Sequence, residues 1–323
     1  MKAIRVRAFG GPDALRLDEM ETPAPGAGEV RVKLGAAGVN PVDTYILTGT
    51  YARKPSLPYT PGTDGAGVVD AAGEGVSRVA VGDRVYVATL NLSATGTYAE
   101  AVVCQVESVH PLPAHVTFAQ GAAIGVPATT AWRGLVQRGQ ARPAETVLVH
   151  GASGSVGLAA VQLAVAAGLT VIGTAGSERG RALVAAQGAH HVLDHGSQGY
   201  RDEIRRLTDD RGPDLILEML ANVNLAHDLE LVAPRGRIVV IGSRGPIEIL
   251  PRWLMARDSI VTGLTLWNMT SAERQEAHAG LSAALAARTL RPIVAEEIPL
   301  ADAPRAHERV MQPGAAGKIV LTM

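Results

Sequence analysis

The sequence predicts an α/β protein in which a doubly wound parallel-sheet domain is inserted into a β-rich domain assembled from both chain ends. Three observations carry this expectation. Up to about residue 120, short strand-sized runs (AIRVRAF, EVRVKLGAAGV, GAGVVDAAG, GDRVYVATL, TYAEAVVC) are divided by Gly and Pro, as in a compact β-rich unit. From about residue 126, strand-sized runs alternate with helix-sized ones, the pattern of βαβ units with helices on both faces of a parallel sheet. After about residue 265 a helix, the strand IVAEEIP, another helix and the terminal strand GKIVLTM read as a return to the first domain. The expected boundaries are therefore 1–125 with 266–323 for the β-rich domain, and 126–265 for the parallel-sheet domain.

Composition narrows the function classes. The chain has 323 residues, 47% of them hydrophobic, enough for two domains with ample cores. A formal net charge of −1 gives no electrostatic reason to expect nucleic acid or an acidic membrane surface, and RDEIRRLTDD mixes signs as a solvated helix does. The single cysteine, Cys104, rules out an internal disulfide framework and a four-cysteine zinc lobe; it is expected to be a small buried hydrophobe. MKAIRVRAFGG reads as a short strand and a turn, without the apolar core of a signal peptide, and no run suits a membrane span, so a cytoplasmic protein is expected.

Within the second domain the runs follow in order. VLVHG leads into the turn HGASGSVG (150–157) and the helix SVGLAAVQLAVAAG, with Gly168 suited to end it. LTVIGTA, SERGRALVAAQG, AHHVLD, YRDEIRRLTDD, PDLILEML and GRIVVIGS continue the alternation. His190 and His191 are adjacent at a strand start, so their side chains point opposite ways and suit no metal.

A glycine turn between a strand and a helix is the context of a dinucleotide-binding motif. Gly154 and Gly157 take the second and third glycine positions, Ala152 replaces the first and Gly151 adds slack. Backbone must approach a pyrophosphate there, and the amides that open the helix face it. The second strand of such a domain selects the cofactor: an acidic residue at its end would accept from the ribose 2′-hydroxyl of NAD. Here TVIGTAGSERGR places Thr174, Ala175, Gly176 and Ser177 at that point, with Arg179 and Arg181 in reach of a 2′-phosphate. NADPH is therefore the expected cofactor.

Several longer stretches together resemble the medium-chain dehydrogenase/reductase superfamily, in particular its zeta-crystallin-like quinone oxidoreductases. They are GVNPVDTYILTGTY, LPYTPGTDGAGVV, GAAIGVPATTAW, VLVHGASGSVGLAA, EMLANVNL, GSRGPIEILPR and the terminal GKIVL, which between them span essentially the whole chain. The resemblance implies a GroES-like catalytic domain from both chain ends around a Rossmann domain. Zinc enzymes of the same superfamily carry Cys after G-V and a Gly-His-Glu run; this chain has Asn40 in GVN and Thr63-Asp64 in PGTDGAG, so no metal is expected. A redox reaction without a Lewis acid favours electrophilic acceptors, and the expected substrate is a quinone, ortho-quinones first. Reduction of a 2-alkenal or enone is the alternative chemistry, and an NADPH-binding crystallin-like or RNA-binding role the non-enzymatic one.

The resemblance also implies a site. Asn40, Tyr45 and Tyr51 lie in a segment similar to the one that faces the nicotinamide: Asn orients a carbonyl or ribose hydroxyl, and a tyrosine hydroxyl donates to the oxygen that gains charge. Cofactor contacts carried over by matching motif are Tyr45, the turn Ser153, Gly154, Ser155 and Val156, then Gly176, His195, Asn224, the run Ile241, Gly242, Ser243 and Arg244, and Leu264, Thr265 and Leu266; Ser177 and Arg179 join them from the strand end above. Thr130 and Lys318 are expected as further lining residues. GLTLW, at the sheet edge, resembles the strand through which family members pair, so a homodimer or homotetramer is expected.

Overall fold

A computed structural model describes residues 1–89, 95–314 and 316–323. The described residues form two compact units, 1–127 with 292–323, and 128–291. In the first, a seven-stranded sheet has the path Val294–Pro299, Lys318–Thr322, Glu29–Val39, Asp64–Ala72, Arg84–Ala88 and Val109–Pro111, and its seventh strand, Ala101–Gln105, pairs separately with Glu29–Val39. Alternation builds it: Val30, Val32 and Leu34 point inward from one strand and meet Val69, Val85, Val87 and Val102. The terminal strand does return to this unit, pairing antiparallel with Glu29–Val39 in the register Ile319↔Val39 and Thr322↔Ala36. A second core gathers Ile4, Val6, Ile46, Leu47, Ile298 and Leu321 beside the helices Pro41–Leu47 and Ala303–Val310.

The second unit holds a six-stranded sheet, parallel throughout. Its order is His191–Leu193, Thr170–Thr174, Thr146–Val149, Leu215–Glu218, Arg237–Val240 and Ile260–Gly263. In chain order this is 3-2-1-4-5-6, the doubly wound arrangement whose direction reverses between the first strand and the fourth. TVLV, TVIGT and LILE are nearly continuous apolar runs because helices cover both faces. The helix Ser155–Ala166 ends where expected, with Gly168 at φ +79°.

Two expectations need correction. Residues 266–291, assigned from sequence to the β-rich domain, belong to the second unit: in the helix Ser271–Ala286, Gly280 sits against the Trp132 ring and the Glu273 carbonyl accepts from Gln137 Nε2 at 2.9 Å. GLTLW is not one strand, because the edge strand stops at Gly263 and Leu266–Asn268 turns as a short 3-10 helix. Among the described residues no helix is long and apolar enough to cross a membrane.

Candidate active site

The residues singled out from sequence divide between the two units. In the first, GVN ends the strand Glu29–Val39 and opens the helix Pro41–Leu47, with Asn40 as the N-cap residue in extended backbone. Its amide N–H donates to Asp43 Oδ2 at 2.8 Å, which fixes the entry to the helix. Its side chain is buried and engaged at both ends: Nδ2 donates to Asp64 Oδ2 at 2.9 Å, and Oδ1 accepts from the Lys318 ammonium. Lys318 also lies 3.0 Å from Asp64 Oδ2, and the other Asp64 oxygen accepts from the Val126 amide at 2.8 Å. Small residues make room for this cluster, since a Cβ on Gly38 would stand 2.8 Å from Lys318 Cε and one on Gly125 would strike Asp64.

Lys318 was expected to line the cofactor site. Its ammonium is held by Asn40 and Asp64, with the residue 2% exposed. Zinc does not fit this place. Asn40 has both side-chain ends occupied, Thr63 offers only a hydroxyl, and a dication beside Asp64 would stand next to an ammonium already paired there.

Tyr45 and Tyr51 come together through the turn after the helix, where the Tyr51 amide donates to the Tyr45 carbonyl at 3.1 Å; both side chains are half-buried. The core against which Tyr51 packs also holds a polar cluster that sequence reasoning missed. The Tyr98 hydroxyl lies 3.1 Å from Asp43 Oδ2 and 3.2 Å from His307 Nε2. Burial pushes the Asp43 carboxyl up to about 7, against the opposing pull of the Asn40 amide and Lys318, and burial pushes His307 down to about 4. A cavity of about 20 Å³, room for roughly one water molecule, is lined by Asp43, Tyr59 and Thr63 among others.

In the second unit the turn takes the expected form. Gly151 adopts φ +56°, the Ala152 amide donates to the Thr174 carbonyl at 2.8 Å, and Gly154 caps the helix that starts at Ser155. A Cβ on Gly157 would come within 2.6 Å of Ala152 Cα and 2.7 Å of the Gly151 carbonyl, which is the close packing the third glycine permits. Ser153 lies against Gly180, and Gly176 lies against His195, whose Nε2 would meet a Cβ there at 2.8 Å. The first turn, the end of the second strand and the loop after the third are thus neighbours.

Ser177 caps the helix Glu178–Ala186, accepting from the Gly180 amide at 3.1 Å, which leaves its O–H to donate. Arg179 is exposed, whereas Arg181 pairs with Asp194 at 2.7 Å. At the far end of the crevice, Ile241 and Gly242 donate to the Glu218 carbonyl at 2.8 and 3.2 Å, and Asn224 Nδ2 donates to Glu218 Oε1 at 3.2 Å. The Arg244 amide donates to Asn222 Oδ1 at 2.8 Å, and Ser243 Oγ donates to the Gly245 carbonyl at 3.0 Å. Leu264 follows the sixth strand and donates to Val240 at 3.1 Å, Thr265 starts the 3-10 turn and Leu266 is buried, as is Thr130. His150, Glu218 and Asp228 form a second missed cluster; a charged residue ending the apolar run PDLILE was its signal.

Comparison with known proteins places this geometry. Residues 155–283 match the family described as zinc-binding dehydrogenase, and residues 26–114 match the alcohol dehydrogenase GroES-like domain. The chain is 46% identical to human quinone oxidoreductase over 325 residues, covering 100% of this chain and 98% of that one. Among solved structures, an NAD-dependent alcohol dehydrogenase superposes with a TM-score of 0.93 at 31% identity, with both chains fully covered. Escherichia coli quinone oxidoreductase complexed with NADPH superposes with a TM-score of 0.90 at 29% identity, again over 100% of each chain. With its sheet order, its glycine turn and this full-length identity, the chain belongs to the quinone oxidoreductase family of the medium-chain dehydrogenase/reductase superfamily.

Proposed function

We propose that this protein is a zinc-independent NADPH:quinone oxidoreductase. The observation that carries the reading is the buried Asn40–Asp64–Lys318 network, which fills the place where the superfamily's zinc enzymes keep metal ligands, in a chain that matches named quinone oxidoreductases along its length. Cys104 lies in the valine core of the β-rich unit, where burial pushes its thiol up to about 12.

NADPH, when bound, supplies the electrons that convert a quinone to its hydroquinone. The turn Ser153 to Val156 takes the pyrophosphate, Gly176 and His195 meet the adenosine side, and Ser177 with Arg179 receives the 2′-phosphate. Asn224, the run Ile241 to Arg244 and Leu264 to Leu266 line the nicotinamide end, together with Thr130. Tyr45 and Tyr51 donate to the acceptor oxygen as it gains charge, and solvent completes protonation of the hydroquinone. Asn40 holds the helix that carries Tyr45 and keeps one amide hydrogen for the acceptor or ribose.

Although one structural neighbour is named as NAD-dependent, the second strand of this chain ends without the acid that would favour NAD. A cytoplasmic homodimer or homotetramer completes the proposal, with the edge strand Ile260–Gly263 and its exposed Ile260 as the pairing surface. Initial rates of NADPH oxidation with ortho-quinones, para-quinones and 2-alkenals test the acceptor class. Turnover confined to alkenals would move the chemistry to alkene reduction.

A further inference from the structure

His150, Glu218 and Asp228 arrive from three elements: the end of the first parallel strand, the end of the adjacent fourth strand, and the helix Ala221–Leu231. All three are buried, and their ligand-type atoms lie within 4.8 Å of one another. His150 Nε2 is 2.9 Å from Asp228 Oδ1 and 3.5 Å from Glu218 Oε2. Glu218 Oε2 and Asp228 Oδ2 have no hydrogen-bond partner among the described residues.

Two ionised carboxylates facing each other at 0% and 1% exposure, with one imidazole between them, would leave a buried charge uncompensated. A single proton on Glu218 removes the conflict: its O–H donates to Asp228 Oδ2, satisfying both orphan oxygens, while His150 donates to Asp228 Oδ1. The opposite oxygen of Glu218 accepts from the Leu220 amide and from Asn224 Nδ2 at 3.2 Å, and its carbonyl accepts from Ile241 and Gly242. One residue thus ties together the loops that carry Asn224 and the Ile241 to Arg244 run.

We propose that His150, Glu218 and Asp228 form a shared-proton clamp, and that protonated Glu218 is a positioning residue that sets the rim on which the dinucleotide lies. The inference rests on the cofactor reading above. Burial pushes Glu218 up to about 7, His150 opposes and Asp228 adds to the rise. Burial pulls His150 down, but the charge and hydrogen bond of Asp228 prevail and raise it. Tyr200, at the start of the helix Tyr200–Leu207, also faces the clamp; burial raises it, Arg201 opposes, and both carboxylates add to the rise.

The experiment compares the full-length wild-type, Glu218→Gln and Glu218→Ala proteins by calorimetric titration with NADPH from about pH 6 to pH 8.5, alongside infrared difference spectra of the cofactor-free proteins. Gln mimics the protonated acid, since it accepts from Leu220 and Asn224 and donates to Asp228. The wild-type Kd should rise about tenfold relative to Glu218→Gln as pH passes 7. Titration of the 2′-phosphate is common to both proteins and cancels in the comparison. Glu218→Ala should bind several-fold more weakly at every pH, and the wild-type minus Glu218→Gln difference spectrum should hold a protonated-carboxyl band near neutral pH, the Asp43 contribution being common to both proteins. Equal weakness of Gln and Ala variants, parallel pH dependence of wild type and Gln, or absence of the carboxyl band would overturn the clamp. So would stoichiometric Zn²⁺ or Mn²⁺ binding that His150→Gln abolishes, since the cluster would then be a metal centre. If the wild type fails to bind NADPH at any pH, the cofactor reading fails, and the infrared band still decides the shared proton on its own.

Discussion

Lys318 Nζ lies 3.0 Å from Asp64 Oδ2, with each side chain 1% exposed, so the last strand of the chain delivers a cation beside the segment PGTDGAG of its own sheet. Removing one partner of such a pair leaves the other charge buried. Lys318→Met should cost about 3–5 kcal/mol of unfolding free energy in urea, and Asp64→Asn with Lys318→Met should recover part of that loss. Additive losses in the double-mutant cycle would show that the two charges do not depend on each other.

Arg179 is exposed while Arg181 is tied to Asp194, so the 2′-phosphate should be read mainly by Arg179. Arg179→Ala should raise KM for NADPH about tenfold and leave KM for NADH within about twofold, the loss of one charge-assisted contact. A parallel rise for both cofactors would place Arg179 outside the phosphate site.

The Asp43–Tyr98–His307 cluster predicts opposing pH effects on stability. Asp43 is raised to about 7, so its contribution is full below its unfolded value near 4 and is lost as pH rises through 7. His307 is lowered to about 4, so its contribution is present above its unfolded value near 6.5 and is lost as pH falls toward 4. Thermal unfolding of Asp43→Asn should therefore gain on the wild type from pH 5 to pH 8, and His307→Gln should gain on it from pH 6.5 down to pH 4. Parallel Tm curves would assign ordinary ionisation to both groups.

Tyr51 shares its turn with Tyr45, and a hydroquinone anion can take its proton from solvent. Tyr51→Phe should lower kcat about three- to tenfold, and Tyr45→Phe with Tyr51→Phe further, without abolishing turnover. Complete loss in Tyr51→Phe, with NADPH binding intact, would make Tyr51 an obligatory acid.

What the sequence disclosed and what it hid follow from range. The turn at Gly151 to Gly157 and the alternation of apolar runs are local patterns, so the parallel sheet and the return of GKIVL to the strands of the first unit were legible, whereas the order of the six strands was not. The buried pairing of Lys318 was not legible because its partners, Asn40 and Asp64, lie more than two hundred residues away. The place of residues 266–291 was hidden because the contacts that hold them, Gly280 on Trp132 and Gln137 on Glu273, also join distant parts of the chain, 136 residues apart for the second pair. His150 lies in HGASGSVG and Glu218 in PDLILEML, yet nothing local shows that two strand ends and the Asp228 helix bring them together.

The most direct test of the central claim is the rate of NADPH oxidation with an ortho-quinone, measured on protein dialysed against EDTA and again after addition of Zn²⁺, with NADH run beside it. The account predicts full activity after EDTA, no gain with zinc, and a preference for NADPH. Activity that disappears with EDTA and returns with zinc would contradict it.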